Sequence, residues 1–324
     1  MKVLVLGGTA WVGGVLATEA VQRGHDVTCL ARGSAPVPRG ARLVRADRSR
    51  PDAYADVAGR WDAVLDVARD PDQVRGAVDA LETVWYGFVS SVNVYADPSR
   101  PHQDETAALL DPDAPPADPG EAYGIGKVSC ERLILERFGA RALIARAGLI
   151  GGPGDPTGRS TYWPWRFAHP IGEAVLVPEA AQRPSELIDV RDLAAWLLDA
   201  AERGAGGVLD AVGPQLALGE HLATARAVAG HSGAVVAAPE PWLREQGVQE
   251  WMGPRSLPLW LADPGWQGFT SRDGSAARAA GLVHRPLADT LRAALAWEEQ
   301  QPEHPHGAGL ADDEERALLQ SLAR

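Results

Sequence analysis

The chain opens on an apolar run, Lys2-Val3-Leu4-Val5-Leu6, that breaks into Gly7-Gly8-Thr9-Ala10-Trp11-Val12-Gly13-Gly14. A helix-like segment runs on to Arg23, Gly24 interrupts it, and residues 25–31 are again apolar and strand-like. Strand, glycine turn, helix and strand in direct succession predict a βαβ unit of the dinucleotide-binding kind. Glycines at such a turn let the backbone approach a pyrophosphate, and the free N–H groups and dipole of the next helix favour that anion. A glycine string alone fits an ordinary turn of small residues equally well. The strand before it and the helix after it are what favour a nucleotide site.

The alternation continues, with strand-like runs at 42–46, 63–67, 87–91 and 142–146 separated by segments compatible with helices or loops. This pattern predicts an α/β fold with a parallel, doubly wound sheet of the Rossmann type. Ligands of such sheets bind beyond the carboxyl ends of the strands, where Gly7, Asp47, Asp66 and Ser91 fall. Beyond Pro153 the periodicity weakens and tryptophan concentrates, eight of the eleven lying after position 150. The expected organisation is a nucleotide-binding domain over 1–168, with 186–212 returning to it, and a smaller α/β substrate-binding lobe with C-terminal helices over 169–324. The tryptophans suit either an aromatic-lined pocket or the packing of a loop-rich lobe, and the second is preferred. Residues 97–120, rich in Pro and Asp, predict an irregular, flexible loop over or beside the site. Residues 310–322 predict an amphipathic terminal helix after a Pro/His-rich stretch at 302–307.

Only two of the 31 basic residues are lysines, and one of them, Lys127, stands four residues after Tyr123 in Tyr123-Gly124-Ile125-Gly126-Lys127. On a helix, residues four apart share a face, so phenol and ammonium can flank one small ligand. A free tyrosine loses its proton near pH ~10, and acid/base work near neutrality requires stabilising the phenolate by roughly 1.4 kcal/mol per unit shifted. A fixed lysine supplies part of that. A surface tyrosine beside a solvated lysine is the competing explanation, which context must decide.

Composition narrows the classes. A chain of 324 residues with 45% hydrophobic and 23% charged residues suits a globular enzyme. Net charge −12 opposes nucleic acid or an anionic membrane as partner. Cys29 and Cys130 have neither disulfide-framework nor metal-ligand spacing and are expected to be packing residues; the histidines form no metal-like cluster, so no metal is expected. The start lacks a basic, cleavable leader and no apolar stretch approaches membrane-spanning length, which leaves the cytoplasm as the default location.

Several motifs together resemble the extended short-chain dehydrogenase/reductase family, which includes NAD-dependent epimerases and dehydratases. The glycine turn resembles that family's TGxxGxxG, with Gly7 and Gly13 matching, Leu6 in place of Thr and Ala10 in place of the middle Gly. Ser90-Ser91-Val92-Asn93-Val94-Tyr95 resembles SSxxVY, and Tyr123 and Lys127 match YxxxK. Residues 146–153 resemble RPxxxxGP, with Ala147 replacing the proline, and 187–194 resemble the strand-to-helix signature IHVxDLA.

The resemblance implies that Ser91, Tyr123 and Lys127 are catalytic. Tyr123 would exchange a proton with a substrate oxygen that Ser91 holds, while Lys127 binds the nicotinamide ribose and lowers the tyrosine's pKa. It implies cofactor contacts from Gly7, Thr9, Ala10, Trp11, Val12 and Gly13, and from Asp47 and Arg48 at the adenine. It implies others from Asp66, Val67 and Ala68 along the riboses, mainly through backbone, and from Ser90, Ala147, Leu149 and Ile150 near the nicotinamide. Asn93, Arg159 and Trp163 are the expected substrate contacts. At the end of the second strand no acid is present to bond a ribose 2′-OH. Ala31 stands there and Arg32 follows, which favours NADP over NAD by pairing with a 2′-phosphate, unless Arg32 is merely a solvated charge.

The expected activity is NADP-dependent hydride transfer to or from a carbonyl or secondary alcohol of a small molecule. An NAD-dependent nucleotide-sugar epimerase is the first alternative, and a non-catalytic cofactor- or RNA-binding relative is the second. Such proteins usually form homodimers through the helix carrying Tyr123 and Lys127. Cys130, Leu133, Ile134 and Leu135 give that helix an apolar face for either a core or a partner.

Overall fold

The structure is a computed structural model describing residues 1–301 and 307–323. Residues 302–306, most of the Pro/His-rich stretch, lie outside the described residues. Strands β1 (Lys2–Leu6), β2 (Asp26–Ala31), β3 (Arg42–Arg45), β4 (Arg60–Asp66), β5 (Glu82–Ser91) and β6 (Ala142–Ala147) are followed by β7 (Leu149–Gly151), β8 (Ala174–Pro178), β9 (Pro184–Asp189) and β10 (Gly207–Ala211). Seven of them form one parallel sheet in the order β10-β6-β5-β4-β1-β2-β3. The order reverses between β1 and β4, which opens a crevice beyond the carboxyl ends of those strands.

Helices cover both faces, because strands buried on two sides need two apolar partners. On one face α1 (Trp11–Gln22) and α5 (Val190–Arg203) pack Leu16, Ala17, Leu193 and Leu197 against Val3, Val5 and Leu65. On the other, α2 (Pro71–Ala80) and α3 (Pro119–Phe138) set Val74, Ile134 and Phe138 against Leu4, Tyr86 and Phe88. Cys130 and Ile134 are fully buried in this chain's own core, and Leu133 and Leu135 pack against it. The outer face of α3 carries the exposed Arg132 and Glu136. Cys29 and Cys130 are buried free thiols, pushed by burial up to about 11 and about 12, which leaves them unreactive near neutrality.

The expected strands recur with earlier starts for β4 and β5. Arg60, Asp62, Glu82 and Val84 face outward there and alternate with the buried Trp61, Thr83 and Trp85. Charged residues interleaved with apolar ones hide the strand from a search for continuous apolar runs. The terminal helix spans Asp312–Leu322. Its Glu315 accepts from Leu176 N–H at 2.8 Å and lies 3.0 Å from Arg166, docking the helix on the smaller lobe.

That lobe is built from α4 (Tyr162–Ala168), β8 paired with Ala234–Ala238, and helices Leu218–Val228 and Leu287–Glu298 around a second core. Trp163 and Trp260 are fully buried in it, and the Trp163 indole N–H donates to Pro258 O at 2.8 Å. The expected substrate contact at Trp163 is therefore corrected. Its ring fills the lobe's core and presents no face to a ligand.

The loop before α3 is not free. His102 N–H donates to Ser271 O, Asp273 N–H to Gln103 O, and the Arg272 guanidinium to Asp104 O, strapping it to the lobe. Its aspartates Asp97, Asp104 and Asp111 each accept from the N–H two residues on, which explains its composition by turn chemistry.

One buried acid is half satisfied. Glu186 on β9 accepts from Arg272 N–H, while its other oxygen has no partner among the described residues, and burial pushes its carboxyl up to about 8. The unfolded chain releases that proton near 4.5. The folded state thus binds more protons between these values, and this group's contribution to stability is lost as pH rises toward 8. Glu186→Gln is expected to stabilise the protein at pH 8 by on the order of 1–3 kcal/mol and to change little at pH 5. Thermal melts of both proteins at the two pH values check this, and equal shifts at both would refute it.

Candidate active site

At three positions of the glycine turn, Gly7, Gly8 and Gly13, the packing admits no side chain. Gly7 has φ +92°, and a Cβ there would meet Val67 Cγ2 at 2.7 Å. A Cβ on Gly13 would meet Gly7 O at 2.2 Å, and one on Gly8 would meet Cys29 Sγ at 2.5 Å. Ala10, where a third glycine is usual, has φ −79° and ψ 157°, an extended conformation open to any residue. The turn therefore keeps its shape with alanine, and Val12 packs its side chain toward the core. Trp11 begins α1 and donates its indole N–H to Pro153 O at 2.9 Å, joining the turn to the segment after β7. The turn leads directly into the N-terminus of α1, whose first N–H groups and dipole favour an anion such as a pyrophosphate.

At the end of β2, Ala31 is buried and Arg32 exposed. The Arg45 guanidinium lies against Gly33, and the Thr9 and Ser34 hydroxyls are 3.4 Å apart. Asp47 is exposed near Arg32. The Ser49 N–H and hydroxyl, with Arg32 adding to them, hold its carboxyl below the usual range. Arg48 is used differently from expectation. Its guanidinium makes a two-pronged bond to Asp66 at 2.7 and 2.8 Å and also donates to Tyr54 and to Gln73 O. Asp66 is fully buried and also takes Tyr86 Oη–H and Ala68 N–H. Neither side chain is free for a cofactor. Together they pin Val67 and Ala68 beside the glycine turn, where Val67 N–H donates to Leu6 O and Ala68 N–H to Asp66.

Helix α3 brings the phenol to the end of β5. Asp118 caps it by accepting from Gly120 and Glu121 N–H, with Pro119 at its first turn. Gly124 then lets it pass the strand end, since a Cβ there would meet Asn93 O at 2.2 Å. This close approach outweighs the cost of a helical glycine, about 1 kcal/mol. Tyr123 consequently comes close enough to the Ser91 hydroxyl for that hydroxyl to favour its phenolate, and Ser91 Oγ donates to Asn93 Oδ1 at 2.8 Å. One turn on, Lys127 is buried and donates to Val89 O at 2.6 Å and Ala68 O at 2.7 Å, its ammonium 5.8 Å from the Tyr123 ring centroid. Ser90, one residue earlier on β5, points to the opposite face and donates to Glu131, itself paired with Arg146. Its side chain is thus turned away from the Tyr123 pocket.

Burial raises the Tyr123 phenol above its ordinary value, opposed by Arg69, Ser91 and Arg159. Burial likewise pushes Lys127 down to about 8. The buried phenol holds a proton it can give, and the cations around it favour the phenolate left behind. Sequence reasoning missed Arg69, which directly follows the Asp66-Val67-Ala68 motif and is positioned by it. Ala147 is buried at the end of β6, and Leu149 and Ile150 lie in β7 with their side chains in the two cores. Arg159 stands beside Tyr123 with its Nε on Thr157 Oγ1 at 3.1 Å. Among the described residues no His/Cys/Asp/Glu group can hold a metal ion, and no helix is long and apolar enough to cross a membrane.

The model of the NAD dependent epimerase/dehydratase family matches residues 3–211. The 2'-dehydrokanamycin reductase of Streptomyces kanamyceticus is 31% identical over 46% of this chain and 43% of its own length, so the chain spans under half of that relative. The 3-diazoavenalumate denitrifying reductase of a Streptomyces species is 26% identical over 95% of this chain and 99% of its own length. The crystal structure of a point mutant of the UDP-glucuronic acid 4-epimerase from Bacillus cereus, in complex with NAD and a fluorinated UDP-sugar, superposes with a TM-score of 0.68. It covers 93% of this chain and 100% of that one at 15% identity, a likeness of fold.

Proposed function

Because this chain belongs to the NAD dependent epimerase/dehydratase family, we propose that it is an NADP-dependent oxidoreductase acting on a carbonyl or secondary alcohol of a small molecule. The observation that carries this is the meeting of Ser91, Tyr123 and Lys127 at the carboxyl edge of β5, on the same sheet edge as a glycine turn whose Gly7, Gly8 and Gly13 admit no Cβ. Bound nicotinamide supplies or takes the hydride. In the reducing direction Tyr123 gives its proton to the carbonyl oxygen, which Ser91 polarises by hydrogen bonding. Lys127, Arg69 and Arg159 stabilise the phenolate that results, and Lys127 would also hold the nicotinamide ribose.

Preference for NADP rests on Arg32. It is exposed at the end of β2 with no acid at Ala31, and Arg45, Thr9 and Ser34 cluster nearby, a set of donors suited to a 2′-phosphate. Two relatives named as reductases support exchange of the cofactor at each turnover. Arg32→Glu is expected to weaken NADPH at least about tenfold relative to NADH, a loss of roughly 1.4 kcal/mol. Titration of intrinsic tryptophan fluorescence with each nucleotide reads it, and an unchanged ratio would remove Arg32 from the site. The second reading, an epimerase keeping NAD, draws on the fold shared with the NAD-bound 4-epimerase. Tightly held NAD in freshly purified protein would favour it over the reductase.

A further inference from the structure

Among the described residues Arg159 has no counter-ion. Its Nε is spent on Thr157, and no carboxylate among the described residues lies within ion-pair distance of it. Asp155, the nearest acid acting on it, has its oxygens filled by Thr157 and Ser160. Burial is severe enough to weaken the hold of Arg159 on its own proton, a cost a surface arginine would not bear. Arg69 adds a second positive charge at the same phenol.

One face of this guanidinium lies over the Trp251 ring, 5.2 Å from its centroid. Trp251 has φ +69°, a conformation costly for a bulky residue, and Trp251 N–H is tied to Trp260 O. From Trp251 the aromatic contacts continue edge-on to Phe269 at 5.6 Å and from Phe269 to Trp266 at 5.5 Å. Phe269 and Trp266 wall a mostly apolar cavity of about 190 Å³ that carries Asp118 and Glu121 in its lining, which leaves the anionic group to Arg159, and that also touches Asn93, the acceptor of the Ser91 hydroxyl. The aromatic row thus runs from the cation beside Tyr123 to this cavity, and Asn93 links the cavity to the Ser91 hydroxyl.

We infer that the substrate is an oxyanion with a flat apolar body: Arg159 receives a carboxylate or similar group, and the Trp251–Phe269–Trp266 wall receives the body, with the reacting carbon beside Tyr123 and Ser91. This rests on the oxidoreductase reading for the identity of the reacting carbon, but the anion site itself does not depend on it.

Benzoate and its neutral isostere benzamide are suitable probes, titrated by calorimetry into the whole protein with and without NADP. Benzoate is expected to bind about tenfold or more tighter than benzamide, as a charge-assisted pair gives. Arg159→Met should erase that ratio while leaving benzamide and NADP affinities within about twofold, and Arg159→Lys should restore part of it. Trp251→Leu should weaken both probes severalfold. Equal affinities in the unaltered protein, no saturable benzoate binding, or a ratio surviving in Arg159→Met would overturn the inference. So would an equal loss of NADP affinity in Arg159→Met, which would assign the arginine to the cofactor. Failure of NADP itself to bind, with the benzoate ratio intact, would instead defeat the oxidoreductase reading and leave the anion site standing.

Discussion

Tyr123→Phe is expected to lower kcat by about 10³-fold while leaving cofactor affinity within a few fold. The substitution keeps the ring, and with it the cation–ring contact to Lys127 at 5.8 Å, and removes only the hydroxyl that meets Ser91. The packing around α3 depends on Gly124 against Asn93 O and on the buried Val128 and Cys130, all of which the substitution leaves in place. Fold and nucleotide site should therefore survive. Equal falls in kcat and kcat/KM would mark an interaction made only in the transition state, as expected for proton donation. Ser91→Ala should cost less, because Asn93 remains and the phenol keeps its cations. A fully active Tyr123→Phe enzyme, measured by nicotinamide absorbance with any carbonyl substrate it accepts, would overturn the assignment of the acid.

The central sheet and the meeting of strand end, tyrosine and lysine are legible in the sequence because each depends on local spacing. Strand-length apolar runs, a glycine string before a helix and a four-residue interval all specify geometry without tertiary knowledge. Three kinds of fact are not legible. Arg48 reads as an adenine contact from its neighbour Asp47, but its guanidinium closes on Asp66, eighteen positions along, in a buried pair no local pattern encodes. Trp163 lies near the phenol in sequence order and yet buries its ring against Pro258 O. Conversely, Trp251 reaches Arg159 from more than ninety positions away, with Phe269 edge-on to it, through a lobe whose short strands and turns carry weak periodicity. Arg69 is reachable from sequence, since it follows the strand-end motif directly, but exposed arginines are so common in this chain that only its field at Tyr123 singles it out.

Lys127→Met is expected to reduce turnover by roughly 10²–10⁴-fold and to remove the alkaline fall of activity that the unaltered enzyme should show. The buried ammonium, held between Ala68 O and Val89 O, is pushed down to about 8, so in the free enzyme it is charged below that pH and neutral above it. kcat/KM for reduction should thus be level near neutrality and decline above about pH 8. Lys127→Arg should fail to rescue, because a broad fork does not fit where a compact ammonium spans two carbonyls. The same titration fixes a sign for stability that separates loss of function from unfolding. The unfolded chain keeps this proton to about 10.5 and the folded chain only to about 8, so across that window the unfolded state binds more protons and the lysine's burial becomes less costly as pH rises. Glu186, which withdraws its contribution as pH approaches 8, adds little further loss beyond about pH 9. Activity falling through that alkaline range in a protein whose melting temperature holds would therefore trace to Lys127 at the site, whereas parallel falls in both would deny it that role.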